Sequence, residues 1–160
     1  MITDEARAWA QQTYPDYVFD VGRRDIIKYA HAISETDPVH FDAAAAHEAG
    51  YSDIVAPPFF PYVIRMHAAH LVPRDELAPD GSATADVPPV GATRAMAGEI
   101  HMELGAPVVA GDVITVKKRI LEMYEKEGRS GNLVFVKMEF TFLNQQGDLV
   151  AREEFTRIYR

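Results

Sequence analysis

Within six residues, Glu35, Asp37 and His40 place two carboxylates and an imidazole around Pro38, with Val39 and Phe41 as apolar neighbours. An imidazole titrates near neutral pH, and a carboxylate beside it can orient water or hold a proton. The set therefore suits removal of a proton next to a carbonyl, or addition of water across an activated double bond. The same residues also satisfy a plainer arrangement, in which Asp37 opens an Asx-type turn into Pro38, Glu35 is solvated and His40 packs in the loop. No other stretch is as dense in proton-handling groups. His67 lies on an apolar helical stripe, where a packed histidine is the simpler reading, and His31, His47, His70 and His101 read as surface or helix-end residues. His67 and His70 alone are too few for a metal, and neither a Gly-rich phosphate loop nor a serine-nucleophile motif occurs, so no metal and no cofactor is expected.

The stretch from Tyr29 to Ala46, YAHAISETDPVHFDAAAA, ends one helix and begins another. Thr3 caps a short N-terminal helix that Pro15 stops. Tyr17 to Val21 alternates as a strand, and Ile26, Ile27, Ala30 and Ile33 then recur at helical spacing in a helix that must stop before Pro38. Asp42 and Gly50 bracket a short second helix with an N-cap and a C-terminal glycine. A third helix opens near Pro61, with Phe60, Val63, Ile64, His67, Ala68 and Leu71 as its stripe. It is apolar around much of its circumference, which predicts burial. Residues from Val72 to about Thr93 read as a long loop, and loops of that length are usually functional lids or disordered. Beyond it the period is two to the end: about 96–104, a long run from Val113 closed by the polar EKEGRSGN hairpin, Leu133 to Phe142, and about Leu149 to Tyr159. One buried helix among consecutive antiparallel strands predicts an α+β fold, a curved sheet wrapped around a central helix.

The chain has 160 residues, of which 48% are hydrophobic, enough for the core of a single domain covering 1–160. Its net charge of −8 argues against nucleic acid or an anionic membrane as partner, and KKR at Lys117 to Arg119 reads as a solvated face of a strand. With no cysteine there is no disulfide or thiolate chemistry, which suits a reducing cytoplasm. The N-terminus lacks the apolar centre of a signal peptide, and no window reaches the roughly 20 apolar residues that span a bilayer.

The run ISETDPVHFDAAAA, followed by AGYSDIVAPPFF, resembles the MaoC-like hot-dog dehydratases and (R)-specific enoyl-thioester hydratases. Their signature is Ser-Gly-Asp-X-Asn-Pro-(Ile/Leu/Val)-His. The Ala-Pro-Pro before the central helix and the later GATRAMAGEIHMELGAPVVAGDVITV resemble more closely the N-terminal MaoC, or fatty-acid-synthase-like dehydratase, subfamily. The resemblance implies a hot-dog fold that dimerises by pairing sheets, as a homodimer or with another hot-dog subunit. It implies an acyl-CoA or acyl-carrier-protein thioester as ligand, and (R)-3-hydroxyacyl-thioester dehydration or trans-2-enoyl-thioester hydration as the reaction. By the same resemblance Glu35 and His40 are the catalytic acid/base pair, Asp37 orients, and Tyr29, Phe59, Phe60, Tyr62 and Met66 contact the acyl group. Two departures stand out. Glu35 is one methylene longer than the signature aspartate. Pro58 falls where active members carry a glycine whose N–H stabilises the thioester oxyanion, and proline has no N–H. Some members of this subfamily bind the acyl chain while a partner carries the catalytic pair, and that alternative stays open. A thioesterase on the same fold is disfavoured, since its carboxylate sits on the central helix, where Phe59 to Val72 has none.

Overall fold

The computed structural model describes residues 2–69, 72–78, 81–92, 94–128 and 131–160. His70 and Leu71, and Arg129 and Ser130 of the expected hairpin loop, lie outside the described residues. The order is α1 (Asp4–Trp9), β1 (Tyr17–Asp20), α2 (Arg23–Ala32), α3 (Ala43–Glu48), α4 (Phe60–Ala69), β2 (Ala95–Leu104), β3 (Val113–Gly128), β4 (Gly131–Leu143) and β5 (Leu149–Tyr159). Local chemistry sets the helix starts. The Thr3 hydroxyl accepts from the Ala6 N–H at 3.1 Å, and the Asp42 carboxylate accepts from the Ala44 N–H at 2.8 Å. Each satisfies a donor that the first helical turn leaves unpaired.

The five strands form one antiparallel sheet in the order β1-β3-β4-β5-β2. Irregular register in β3 between Ile120 and Glu122, and in β2 between Ala97 and Ile100, bends it, as extra residues in a ladder do. Its concave face carries successive cross-strand rungs. Val116, Phe142, Ala151 and Leu104 form one, and Lys118, Phe140, Glu153 and Met102 form the next. On the convex face, Lys137 pairs with Glu154, Arg119 with Glu139 at 2.7 Å, and Arg152 lies 3.8 Å from Glu103.

Helix α4 lies in the concave face. Phe60 and Ile64 are fully buried, Phe60 meeting Phe19 edge-on at 6.4 Å and Tyr29 of α2 at 5.8 Å. The expectation of burial on most sides holds for this half of the helix only: Phe59 is 47% exposed and Met66 41%. The inward face is also not wholly apolar. The Arg65 guanidinium, whose side chain is 12% exposed, donates through Nε to Glu153 Oε2 at 2.9 Å and lies over Tyr62, Phe140 and Phe155, within 4.6–5.1 Å of each ring centre. Glu153 is fully buried and its Oε1 has no hydrogen-bond partner among the described residues. Burial pushes its carboxyl pKa up, against the opposing pull of Arg65.

Lys118 corrects the reading of KKR as a solvated face. Lys117 and Arg119 do face out, but strand alternation turns Lys118 inward, where its ammonium pairs with Asp86 and lies 4.0 Å from the Tyr14 ring centre. Asp86 belongs to a single 3-10 turn, Thr84–Asp86, in the loop before β2. The loop is held there. The Trp9 indole and the Gln12 amide both donate to the Ala85 carbonyl, and the Tyr159 hydroxyl donates to the Asp86 carbonyl at 2.8 Å. The N-terminal segment is thus fastened to this loop, and Val87, Val90 and Ala92 pack on the core.

Candidate active site

Helix α2 ends by turning left-handed. Ser34 has φ +61°, and the Glu35 N–H reaches back to the Ala30 carbonyl at 2.9 Å. This is the reverse turn that commonly closes helices, and it delivers the chain to the acidic segment. Pro38–His40 then form one 3-10 turn, capped by the Asp37 carboxylate, which accepts from the Val39 N–H at 3.1 Å. Removing that cap in Asp37→Ala should cost about 0.5–2 kcal/mol in a urea-unfolding measurement. If the midpoint did not move, the cap would not be what holds this turn.

His40 is 8% exposed. Its Nδ1 is 2.6 Å from the Val55 carbonyl oxygen. A carbonyl only accepts, so Nδ1 carries the proton in the neutral ring and Nε2 carries the lone pair. Val55 is itself fixed, since its N–H donates to the Val39 carbonyl at 3.1 Å and the next amide, of Ala56, donates to Val108. The imidazole is therefore oriented by backbone from two separate segments.

His40 opens on a cavity of about 440 Å³. Asp37, Val39, Tyr51 and Pro58 line it from the His40 side, and Leu104 to Val108 with Val150 close it from the sheet edge. That far wall depends on close backbone contact. A Cβ on Gly105 would sit 2.1 Å from the Leu149 carbonyl oxygen, so only glycine fits there. Glu35, half-buried at the turn, is outside this lining, as are Tyr29, Phe59, Phe60, Tyr62 and Met66. Of these, Tyr29 and Phe60 pack on one another, whereas Phe59 and Met66 face outward. Tyr51 and the 104–108 segment lie in the stretches that carry the family resemblance but hold no proton-handling cluster, and their arrival opposite His40 in the fold marks them as lining.

The amides at the start of α4 are largely committed. Pro57, Pro58 and Pro61 have none, and the Phe60 N–H donates to the Pro57 carbonyl at 2.9 Å. Among the described residues the Phe59 N–H is the one at this helix start without an acceptor. His67 is not a core residue as its stripe suggested. It is exposed, 2.9 Å through Nδ1 from the Tyr17 hydroxyl and edge-on to Phe19. Among the described residues no cluster of His, Asp and Glu is arranged to hold a metal.

Residues 9–153 match the family described as FAS1-like, dehydratase domain region. A UPF0336 protein from Thermobifida fusca (strain YX) is 35% identical over 111 residues, 69% of this chain and 66% of the relative. Among solved structures, the C-terminally truncated HadBC (3R-hydroxyacyl-ACP dehydratase) complex from Mycobacterium tuberculosis has a chain that superposes with TM-score 0.64 and 24% identity, covering 91% of this chain and 92% of that one. R-Hydratase PhaJ1 from Pseudomonas aeruginosa superposes with TM-score 0.67 and 21% identity, covering 94% and 84%. At these identities the likeness establishes the fold, which is the α+β hot-dog.

Proposed function

This chain belongs to the FAS1-like dehydratase domain region family, and from that premise we propose that it hydrates trans-2-enoyl thioesters, or in reverse dehydrates (R)-3-hydroxyacyl thioesters. The observation that carries this reading is the His40 imidazole, with Nδ1 tied to the Val55 carbonyl so that Nε2 is left to exchange a proton in a cavity of substrate size. In the hydration direction His40 and Glu35 hold and polarise a water. Its oxygen bonds to the β-carbon as the double bond opens, and a proton is delivered to the α-carbon. Asp37, beside His40 in the cavity lining, orients the pair. Negative charge gathers on the thioester oxygen, where the Phe59 N–H takes the place that Pro58 cannot fill. Oxyanion donors of this kind contribute about 3–4 kcal/mol to the transition state.

The carrier is coenzyme A or an acyl-carrier protein, and the chain acts as one domain. Strand β2 is paired only on its β5 side among the described residues, and Met96, Ile100 and Leu104 on it are exposed, as are Phe59 just before α4 and Met66 on α4. An unpaired edge beside apolar side chains suits sheet pairing with a second hot-dog subunit, the same chain or another. In such a dimer Phe59, Met66 and Tyr62 wall the partner-facing side of the acyl site, and Tyr29 and Phe60 support it.

A second reading is favoured by Pro58 alone: an acyl-binding subunit whose partner performs the chemistry. The two are separated by following loss of the conjugated-bond absorbance of crotonyl-CoA with the purified chain. Turnover that falls by about a hundredfold or more in Glu35→Ala supports the enzyme. Turnover that appears only with a co-expressed hot-dog partner, and survives Glu35→Ala, supports the binding subunit.

A further inference from the structure

Building on the thioester reading above, we infer that Arg65 and Glu153 close the groove under α4 and restrict this chain to short acyl groups. The His40 cavity reaches α4 at Pro61 and reaches the sheet at Leu104 and Val150. Arg65 follows Pro61 by four residues, so it lies on the same helix face about 6 Å further in. Glu153 follows Ala151, the rung partner of Leu104, by two residues, which places it on the same sheet face about 7 Å further in. From these two directions Arg65 Nε and Glu153 Oε2 meet at 2.9 Å, just past the residues where the cavity lining ends.

Nothing there is free to yield. The guanidinium is held over three aromatic rings, and Phe60, Ile64 and Phe142 around it are fully buried. On the far side of the same rung, Lys118 is fastened to Asp86. A methylene chain that pushed Arg65 aside would leave Glu153, already lacking a partner at Oε1, with none among the described residues, and separating a buried pair is strongly unfavourable. The apolar part of the substrate is thus confined to the cavity that ends before this pair, at Pro61, Leu104 and Val150. Longer chains would have to turn out of the groove.

The test is calorimetric titration of the purified chain with saturated acyl-CoA thioesters of four, eight and twelve carbons. Crotonyl-CoA and longer enoyl-CoA turnover are followed on the same samples. The expected result is affinity that falls by about tenfold or more from four to twelve carbons, and an order that inverts in the double variant Arg65→Met/Glu153→Leu. Glu153→Gln, which keeps the shape of the plug, should retain the original order. Twelve-carbon binding as tight as four-carbon in the unaltered chain would overturn the limit without recourse to any variant. So would an unchanged order in a folded double variant, or an inverted one in Glu153→Gln. Short-chain preference without turnover would support the limit while removing the hydratase reading. Equal turnover at every length would do the reverse, and no binding at any length would remove both.

Discussion

His40→Ala is expected to lower kcat for crotonyl-thioester hydration by about 10²–10⁴-fold, the range over which a positioned acid/base group acts. The imidazole lines the cavity, and its tautomer is set by the Val55 carbonyl. Because that bond is also structural, the alanine variant leaves a buried acceptor unpaired and should lose about 1–3 kcal/mol of stability as well. His40→Gln separates the two effects. Its amide N–H can still donate to Val55, but it offers no base. A glutamine variant that melts near the parent temperature yet is as inactive as the alanine variant locates the effect in chemistry. If either variant kept its rate within about threefold, His40 would not be the proton-transfer group, and the turn at Pro38–His40 would serve only to shape the cavity.

Arg65→Met should be the most destabilising single change predicted for this chain, by about 3–5 kcal/mol in urea unfolding, because it strands Glu153 without its only hydrogen-bond partner among the described residues. Adding Glu153→Leu should restore most of that loss, since replacing both members of a buried pair with apolar groups is often neutral or stabilising. The two effects together form a double-mutant cycle whose coupling reports the pair itself. The pH dependence has a definite sign. Burial raises the folded-state pKa of Glu153 above its unfolded value. The native state therefore holds the proton more tightly, and the associated stability is complete below the unfolded pKa and lost as pH rises through the folded one. Without Arg65 the folded pKa rises further. The deficit of Arg65→Met should then be smaller below the ordinary carboxylate range than at neutral pH. A deficit independent of pH would mean that lost packing over Tyr62, Phe140 and Phe155, rather than stranded charge, dominates.

Much of this is written locally in the chain. The Asp37–Pro38 turn, the Thr3 and Asp42 caps and the alternation of β2 to β5 each need only near neighbours and formed as the spacing predicts, except that β3 runs on to Gly128 and β4 starts at Gly131, within the EKEGRSGN stretch expected as a loop. Arg65 is different. Helical periodicity describes its neighbours Phe60 and Ile64 well, but its role depends on Glu153, 88 residues away, which no local pattern links to it. Lys118 was closer to legible, since alternation from Ile114 and Val116 already points it inward; the run of three cations concealed it. The far wall of the cavity, Leu104 to Val108, lies in a stretch that resembles the family but shows no chemistry of its own, and becomes part of the site through register between β2 and β5. The exposed side of α4 follows the same logic one level higher. Phe59 and Met66 have the composition of a core, but among the described residues each stays about two-fifths or more exposed.

The left-handed residue before Glu35 bears on how the acid is held. Ser34 occupies a conformation that costs a side-chain-bearing residue about 1–2 kcal/mol and that glycine adopts freely. Serine also restricts the unfolded chain, which returns about 0.4–1 kcal/mol relative to glycine. The two nearly offset, so thermodynamics is close to indifferent at this position while mechanics is not. Serine leaves the link between helix and acid fewer directions in which to bend. The position of Glu35 thus depends on the stiffness of one peptide joint, since among the described residues its carboxylate has no hydrogen bond or ion pair.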